Sequence, residues 1–154
     1  MTPAVHGTFT IERTWAVEPG RVFAAWADPE TKARWFIGPP ETWTVLRRTL
    51  NFRAGGQEVL QGTFAGGPVT LYTARYHDIV PNQRLIYVYD MHVGGAYLST
   101  SLATVELAAV AGGTRMTFTE QATFLDGKDG TAARRQGTDA HFDRFETVLG
   151  FGRG

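Results

Sequence analysis

Between residues 42 and 125 the chain repeats one pattern: a strand-forming segment, a glycine or proline turn, then another strand-forming segment. Residues 42–52, 58–64, 69–80, 84–93, 98–110 and 114–125 are the strands. The breaks fall at Ala54-Gly55-Gly56, Gly66-Gly67-Pro68, Pro81-Asn82-Gln83, Gly94-Gly95 and Gly112-Gly113. Connections this short join antiparallel neighbours. After Asp129-Gly130 the spacing predicts one long helix over 131–149. Its Ala133, Phe142, Phe145 and Leu149 recur at helical steps around Gly137 and His141, while Arg134, Arg135, Asp139, Asp143 and Glu146 take the other side. An antiparallel sheet of this size must hide one face, and only this helix is long enough to cover it. The expectation is an α+β fold: a curved antiparallel sheet of six or seven strands wrapped around a long C-terminal helix. A cavity is geometrically natural where the sheet stands away from the helix.

Before these strands, Phe9, Ile11, Trp15 and Val17 alternate within a strand over 8–17. Pro19-Gly20 turns the chain into a short helix over 21–27, with Val22, Phe23 and Trp26 on one face. Asp28-Pro29 caps a second short helix over 29–36, closed by Gly38-Pro39-Pro40. No repeat or linker divides the chain, so a single domain over 8–150 is expected.

Composition excludes several classes of function. Fifteen Lys plus Arg balance fifteen Asp plus Glu, without the basic excess that a phosphate backbone demands, so no nucleic-acid partner is expected. Cysteine is absent, which removes disulfides, thiolate metal sites and a Cys nucleophile. No apolar run reaches the ~20 residues of a membrane helix. Residues 1–7 have neither the basic start nor the apolar stretch of a leader, so no membrane partner and a cytoplasmic location are expected. Glycine-rich phosphate loops and a GxSxG elbow are missing, and no cofactor is expected. What stands out is ring surface: ten Phe, five Tyr and four Trp, more than a core of this size strictly needs.

Several segments resemble one superfamily. Arg13-Thr14-Trp15, Val22-Phe23-Ala24-Ala25-Trp26, Asp28-Pro29-Glu30 and Arg34-Trp35-Phe36 look like the opening of the SRPBCC (START-like, birch-pollen-allergen-like) superfamily. The branch they most resemble is that of homologues of the activator of the heat-shock protein 90 ATPase. Arg75 to Pro81 leading to Arg84-Leu85, Gly112 to Met116 leading to Phe118, and Gly137 through Phe142, Phe145 and Leu149 continue the likeness. The chain departs from the branch at Thr138, Ala74 and Phe36, where tryptophan, glycine and tryptophan are usual. The resemblance implies a helix-grip fold with a hydrophobic cavity. It implies no single activity, since relatives bind lipids, polyketides or hormones and some cyclise or hydrolyse.

Candidate site residues follow. Glu120 alternates in phase with Met116, Phe118 and Phe124, which sets a carboxylate on an apolar face. There it is either an acid or base in the cavity, or the structural partner of a buried Arg or Tyr hydroxyl. Asp90 and His92 share one face of their strand; they either join Glu120 in acid–base work or solubilise a strand end in water. His141 is either a titrating cavity group or a hydrogen-bonded filler. Arg13 interrupts an apolar strand phase and either anchors an anion or pairs with an acidic neighbour. No metal site is expected, because two ligands lack a third at fixed spacing. The expected ligand-contacting residues are Trp26, Trp35 and Phe36 near the mouth, Tyr76, Tyr87, Tyr89, Phe118 and Glu120 on the sheet, and His141 and Phe145 on the last helix.

Three functions compete. The first is binding of a small hydrophobic or aromatic molecule, marked by a mostly apolar cavity. The second is a cofactor-independent cyclase or hydrolase, marked by titratable cavity groups within hydrogen-bond reach of each other, one with a displaced pKa. The third, implied by the branch name, is an interaction module that stimulates a chaperone ATPase, marked by an exposed apolar patch. A free edge strand would also let two copies pair as a homodimer.

Overall fold

The computed structural model describes residues 2–152. Its elements are β1 (Val5–Trp15), α1 (Pro19–Ala27), α2 (Pro29–Trp35), β2 (Trp43–Leu50), β3 (Gln57–Phe64), β4 (Val69–Val80), β5 (Arg84–Val93), β6 (Ala96–Val110), β7 (Gly113–Phe124) and α3 (Thr131–Leu149). The seven strands form one antiparallel sheet in the order β1-β7-β6-β5-β4-β3-β2. Because β1 pairs with β7, the chain leaves the sheet at one edge, crosses through α1 and α2, and re-enters at the other edge as β2. This is the helix-grip α+β arrangement the patterning predicts.

Element boundaries differ from expectation where neighbours supply hydrogen bonds that local pattern does not show. β1 begins at Val5 because β7 offers partners as far as Phe124. α1 begins at Pro19 rather than after it, since proline's fixed φ and missing N–H suit a first helical turn. In α2, Asp28 caps the helix by accepting the Thr31 N–H at 3.0 Å.

Strict alternation sets the inner face on β7. On β7, Thr114, Met116, Phe118, Glu120, Ala122 and Phe124 are all buried. Register shifts leave Leu46 in β2, His77 in β4 and Leu98 in β6 without a direct opposite residue. Each such bulge bends its strand and increases the local twist, which helps the sheet to curl.

α3 is held mainly through its C-terminal half. Arg13 on β1 reaches Asp139 at 3.3 Å, Asp143 at 2.9 Å and Glu146 at 3.2 Å, so its pairing is with carboxylates of the helix. The Trp15 indole donates to Glu146 at 2.8 Å, and Arg144 donates to the carbonyls of Trp35 and Ile37. Under this half lies the solid core: Trp15 stacks on Phe145 at 5.0 Å between ring centres, and Trp35 meets Phe145 edge-on at the same distance. At its N-terminal end α3 meets β1, where Thr131 lies against Gly7, and reaches the sheet through Arg134, which bonds Glu120; open space remains beside these contacts. Among the described residues no helix is long and apolar enough to cross a membrane.

Candidate functional site

Between the inner face of the sheet, α2 and the N-terminal half of α3 is a cavity of about 440 Å³. Its wall is dominated by rings: Trp26 from α1, Trp35 from α2, Phe36 just after it, Tyr72 from β4, Tyr87 and Tyr89 from β5, and Phe118 from β7. Trp43 closes one end by lying across Gly62, where any Cβ would fall 1.9 Å from its ring. Gly137 sits mid-helix at the solvent-exposed rim of the cavity, with nothing within 4 Å of a built Cβ. A glycine there costs helix stability, and what it leaves in return is open volume.

Of the candidate residues, Trp26, Trp35, Phe36, Tyr87, Tyr89, Phe118, Glu120 and His141 line this cavity. Phe145 does not; it is fully buried in the aromatic core beneath the far half of α3. Tyr76 lies behind the wall, its hydroxyl donating to Glu58 at 2.8 Å. Asp90 and His92 do share a face, but it is the outer one, because Tyr89 before them and Met91 between them turn inward. There Asp90 accepts from Thr100 at 2.6 Å and His92 stacks on Tyr97. Among the described residues no three His, Asp or Glu side chains gather as a metal site requires.

Two buried ion pairs give the cavity its polarity. At one end Glu120, 1% exposed, accepts through one oxygen from Tyr89 at 2.7 Å, Ser101 at 2.8 Å and Arg134 at 3.2 Å. Arg134 also donates to Tyr89 at 2.9 Å and to Ser99 at 2.8 Å. Burial disfavours the Arg134 charge, yet Tyr89 and Glu120 more than offset this and raise its pKa. Burial and then Glu120 push the Tyr89 phenol up. Arg134 therefore stays a cation and Tyr89 a neutral phenol. Both structural partners that sequence allows for Glu120, an arginine and a tyrosine hydroxyl, are present at once. Arg134 was expected on the solvated side of the helix; instead it folds inward over Tyr89 and Phe124.

The second pair escapes the sequence reading altogether. Lys32 on α2 and Glu58 on β3, each 2% exposed, meet at 2.6 Å. The ammonium also donates to the Tyr76 hydroxyl at 3.1 Å. Rings surround it, with the Phe36 centre at 4.8 Å and that of Trp26 at 5.5 Å. Burial lowers the Lys32 pKa; Glu58 opposes the shift, and the nearby Arg48 charge adds to it. The signals that find this pair are spacing and phase. Lys32 precedes Trp35 and Phe36 by three and four positions, on the same helix face, and Glu58 alternates with the buried Leu60 and Gly62.

His141 completes the roof against Phe36, 5.1 Å between ring centres. Burial lowers its pKa to about 4, with the Arg144 and Lys32 charges adding to the effect, so the imidazole is neutral at pH 7.

A family model described as Activator of Hsp90 ATPase homolog 1-like protein matches residues 16–150. The chain is similar to a structure from Rhizobium leguminosarum, with 45% identity over 96% of each chain and a TM-score of 0.90. A protein from Rhizobium loti is 40% identical, with a TM-score of 0.87 over 94% of this chain and 98% of that one. A Rhodobacter sphaeroides protein at 21% identity shares the fold, with a TM-score of 0.74 over 93% of this chain and 92% of that one. No curated protein matches the chain.

Proposed function

The chain belongs to the family of Activator of Hsp90 ATPase homolog 1-like proteins, and on that premise we propose that it binds a small hydrophobic or aromatic molecule between the sheet and α3. The observation that carries this reading is the cavity itself, about 440 Å³ with a largely aromatic wall. That is the size and make-up of a small-molecule site. Apolar volume of this kind weakens packing, and it persists here beside a helix glycine that fills none of it.

Filling that space tests the proposal. Gly137→Leu adds an apolar side chain at the exposed rim of the cavity while replacing the poorest ordinary helix former with a good one. Stability is expected to rise by up to about 1 kcal/mol. Displacement of a bound fluorescent apolar dye is expected to weaken by about tenfold or more, equivalent to at least about 1.4 kcal/mol. Gly137→Ala should give most of the stability and little of the binding loss. Unchanged dye affinity in the leucine variant would place the ligand elsewhere and sink the reading.

The enzyme reading keeps one observation in its favour. Its original groups are dispersed: Asp90 and His92 lie on the outer face, and the Glu120 oxygen that meets Tyr89 is already saturated by three donors. Lys32, by contrast, is a desolvated amine in the wall with a carboxylate at 2.6 Å.

A further inference from the structure

Lysine is almost absent from this chain. Only Lys32 and Lys128 occur, and every other basic side chain is arginine. The latches that hold α3 and its cavity end together, through Arg13, Arg134 and Arg144, all use guanidinium groups. Lys128 is exposed in the loop before α3. A purely structural partner for Glu58 would be better served by the same residue, whose planar fork binds a carboxylate through two parallel bonds. The wall instead presents a primary amine, bonded to Glu58 at 2.6 Å and Tyr76 at 3.1 Å and set among aromatic rings. An amine has chemistry that a guanidinium lacks. In an apolar pocket it is a nucleophile toward carbonyl groups.

We infer that Lys32 captures ligands that carry an aldehyde or ketone on an apolar body, condensing with the carbonyl to form an imine inside the cavity. This rests on the binding reading above. The step balances without oxidant or reductant. Lys32 passes one proton to Glu58, and the neutral nitrogen forms a bond to the carbonyl carbon. The oxygen then takes a second proton from nitrogen and the first one back from Glu58. It leaves as water while the nitrogen lone pair closes the C=N bond. The product is a protonated imine paired with the Glu58 carboxylate, so the charge of the original pair is preserved. Tyr76, whose hydroxyl reaches both groups, holds Glu58 in place. Desolvation of Lys32 works in the same direction by lowering the cost of losing its proton.

The scarcity of amines makes the test clean. The protein is incubated with naphthalene carbaldehyde and cyanoborohydride, which reduces imines as they form, and labelled sites are read by peptide mass mapping. In parallel, naphthalene methanol, which fits the same space and forms no imine, is titrated by tryptophan fluorescence. The expected result is one naphthylmethyl group on Lys32, formed at a rate that saturates with aldehyde and is blocked by the alcohol. Lys128 is expected to label only in proportion to aldehyde concentration, and Lys128→Arg to leave the Lys32 label unchanged. Lys32→Arg, which keeps a cation for Glu58, is expected to lose the saturable label with its thermal unfolding still cooperative. Label confined to Lys128 and the amino terminus, with the alcohol still bound, would overturn the imine and leave the binding reading standing. No binding of the alcohol would overturn both.

Discussion

Exchanging Lys32 for methionine is expected to lower the stability of the fold by about 3–5 kcal/mol, the usual cost of leaving one member of a buried ion pair alone. Glu58 is 2% exposed, and without the ammonium its nearest partner is the Tyr76 hydroxyl at 2.8 Å. That neutral donor and the more distant charge of half-buried Arg48 compensate a buried carboxylate less well than a directly bonded ammonium. Adding Glu58→Gln removes the orphaned charge and keeps an amide oxygen for Tyr76. That double variant is expected to return to within about 2 kcal/mol of the parent, since a buried pair contributes little net stability over a neutral replacement. Urea unfolding of the parent, both single variants and the double variant closes the cycle. A loss below about 1 kcal/mol for Lys32→Met would mean that Glu58 is reached by water and that the wall is not sealed there.

The second large effect is acid destabilisation through His141. In the unfolded chain its imidazole titrates near the ordinary value of about 6.5, whereas in the fold burial and two neighbouring cations lower it to about 4. Above the unfolded value neither state binds the proton, and the residue adds no pH dependence. As the pH falls from about 6.5 towards about 4, the unfolded chain gains a proton that the folded chain refuses, so stability is lost. The full loss approaches about 3 kcal/mol at the lower end of that window. Unfolding free energies of the parent and of His141→Gln isolate the contribution: the gap between the two curves should stay constant above pH 6.5 and shift against the parent by about 3 kcal/mol as the pH falls to about 4. Parallel curves would show that the imidazole reaches solvent and protonates freely.

Most of the architecture is visible before any coordinates. Val69–Val80, Arg84–Val93 and Thr131–Leu149 are bounded by turn or loop residues that no strand or helix could absorb, and all three elements end where those signals place them. The phase of Glu120 with Met116 and Phe118 likewise survives intact, because no register shift interrupts β7 against either neighbour. The pattern is less informative where a face must be chosen. Asp90 and His92 share a side on period two, but alternation alone does not say which side meets the helix. Arg134 follows helical spacing onto what looks like the solvated stripe. Its side chain is nonetheless long enough to turn under and reach Glu120.

Chain order and periodicity thus carry the sheet, the terminal helix and the surplus of rings that must surround something, since those depend on local propensity and on the need to hide one apolar face. The pairing of Lys32 with Glu58 is a different kind of fact. It joins a short helix to β3, next to the edge strand of the sheet, and the low dielectric that makes the pair consequential exists only after Trp26, Phe36 and Tyr76 have closed around it. Contacts between distant segments, and the desolvation they impose on an amine or an imidazole, arise from the folded arrangement and leave little trace in residue order.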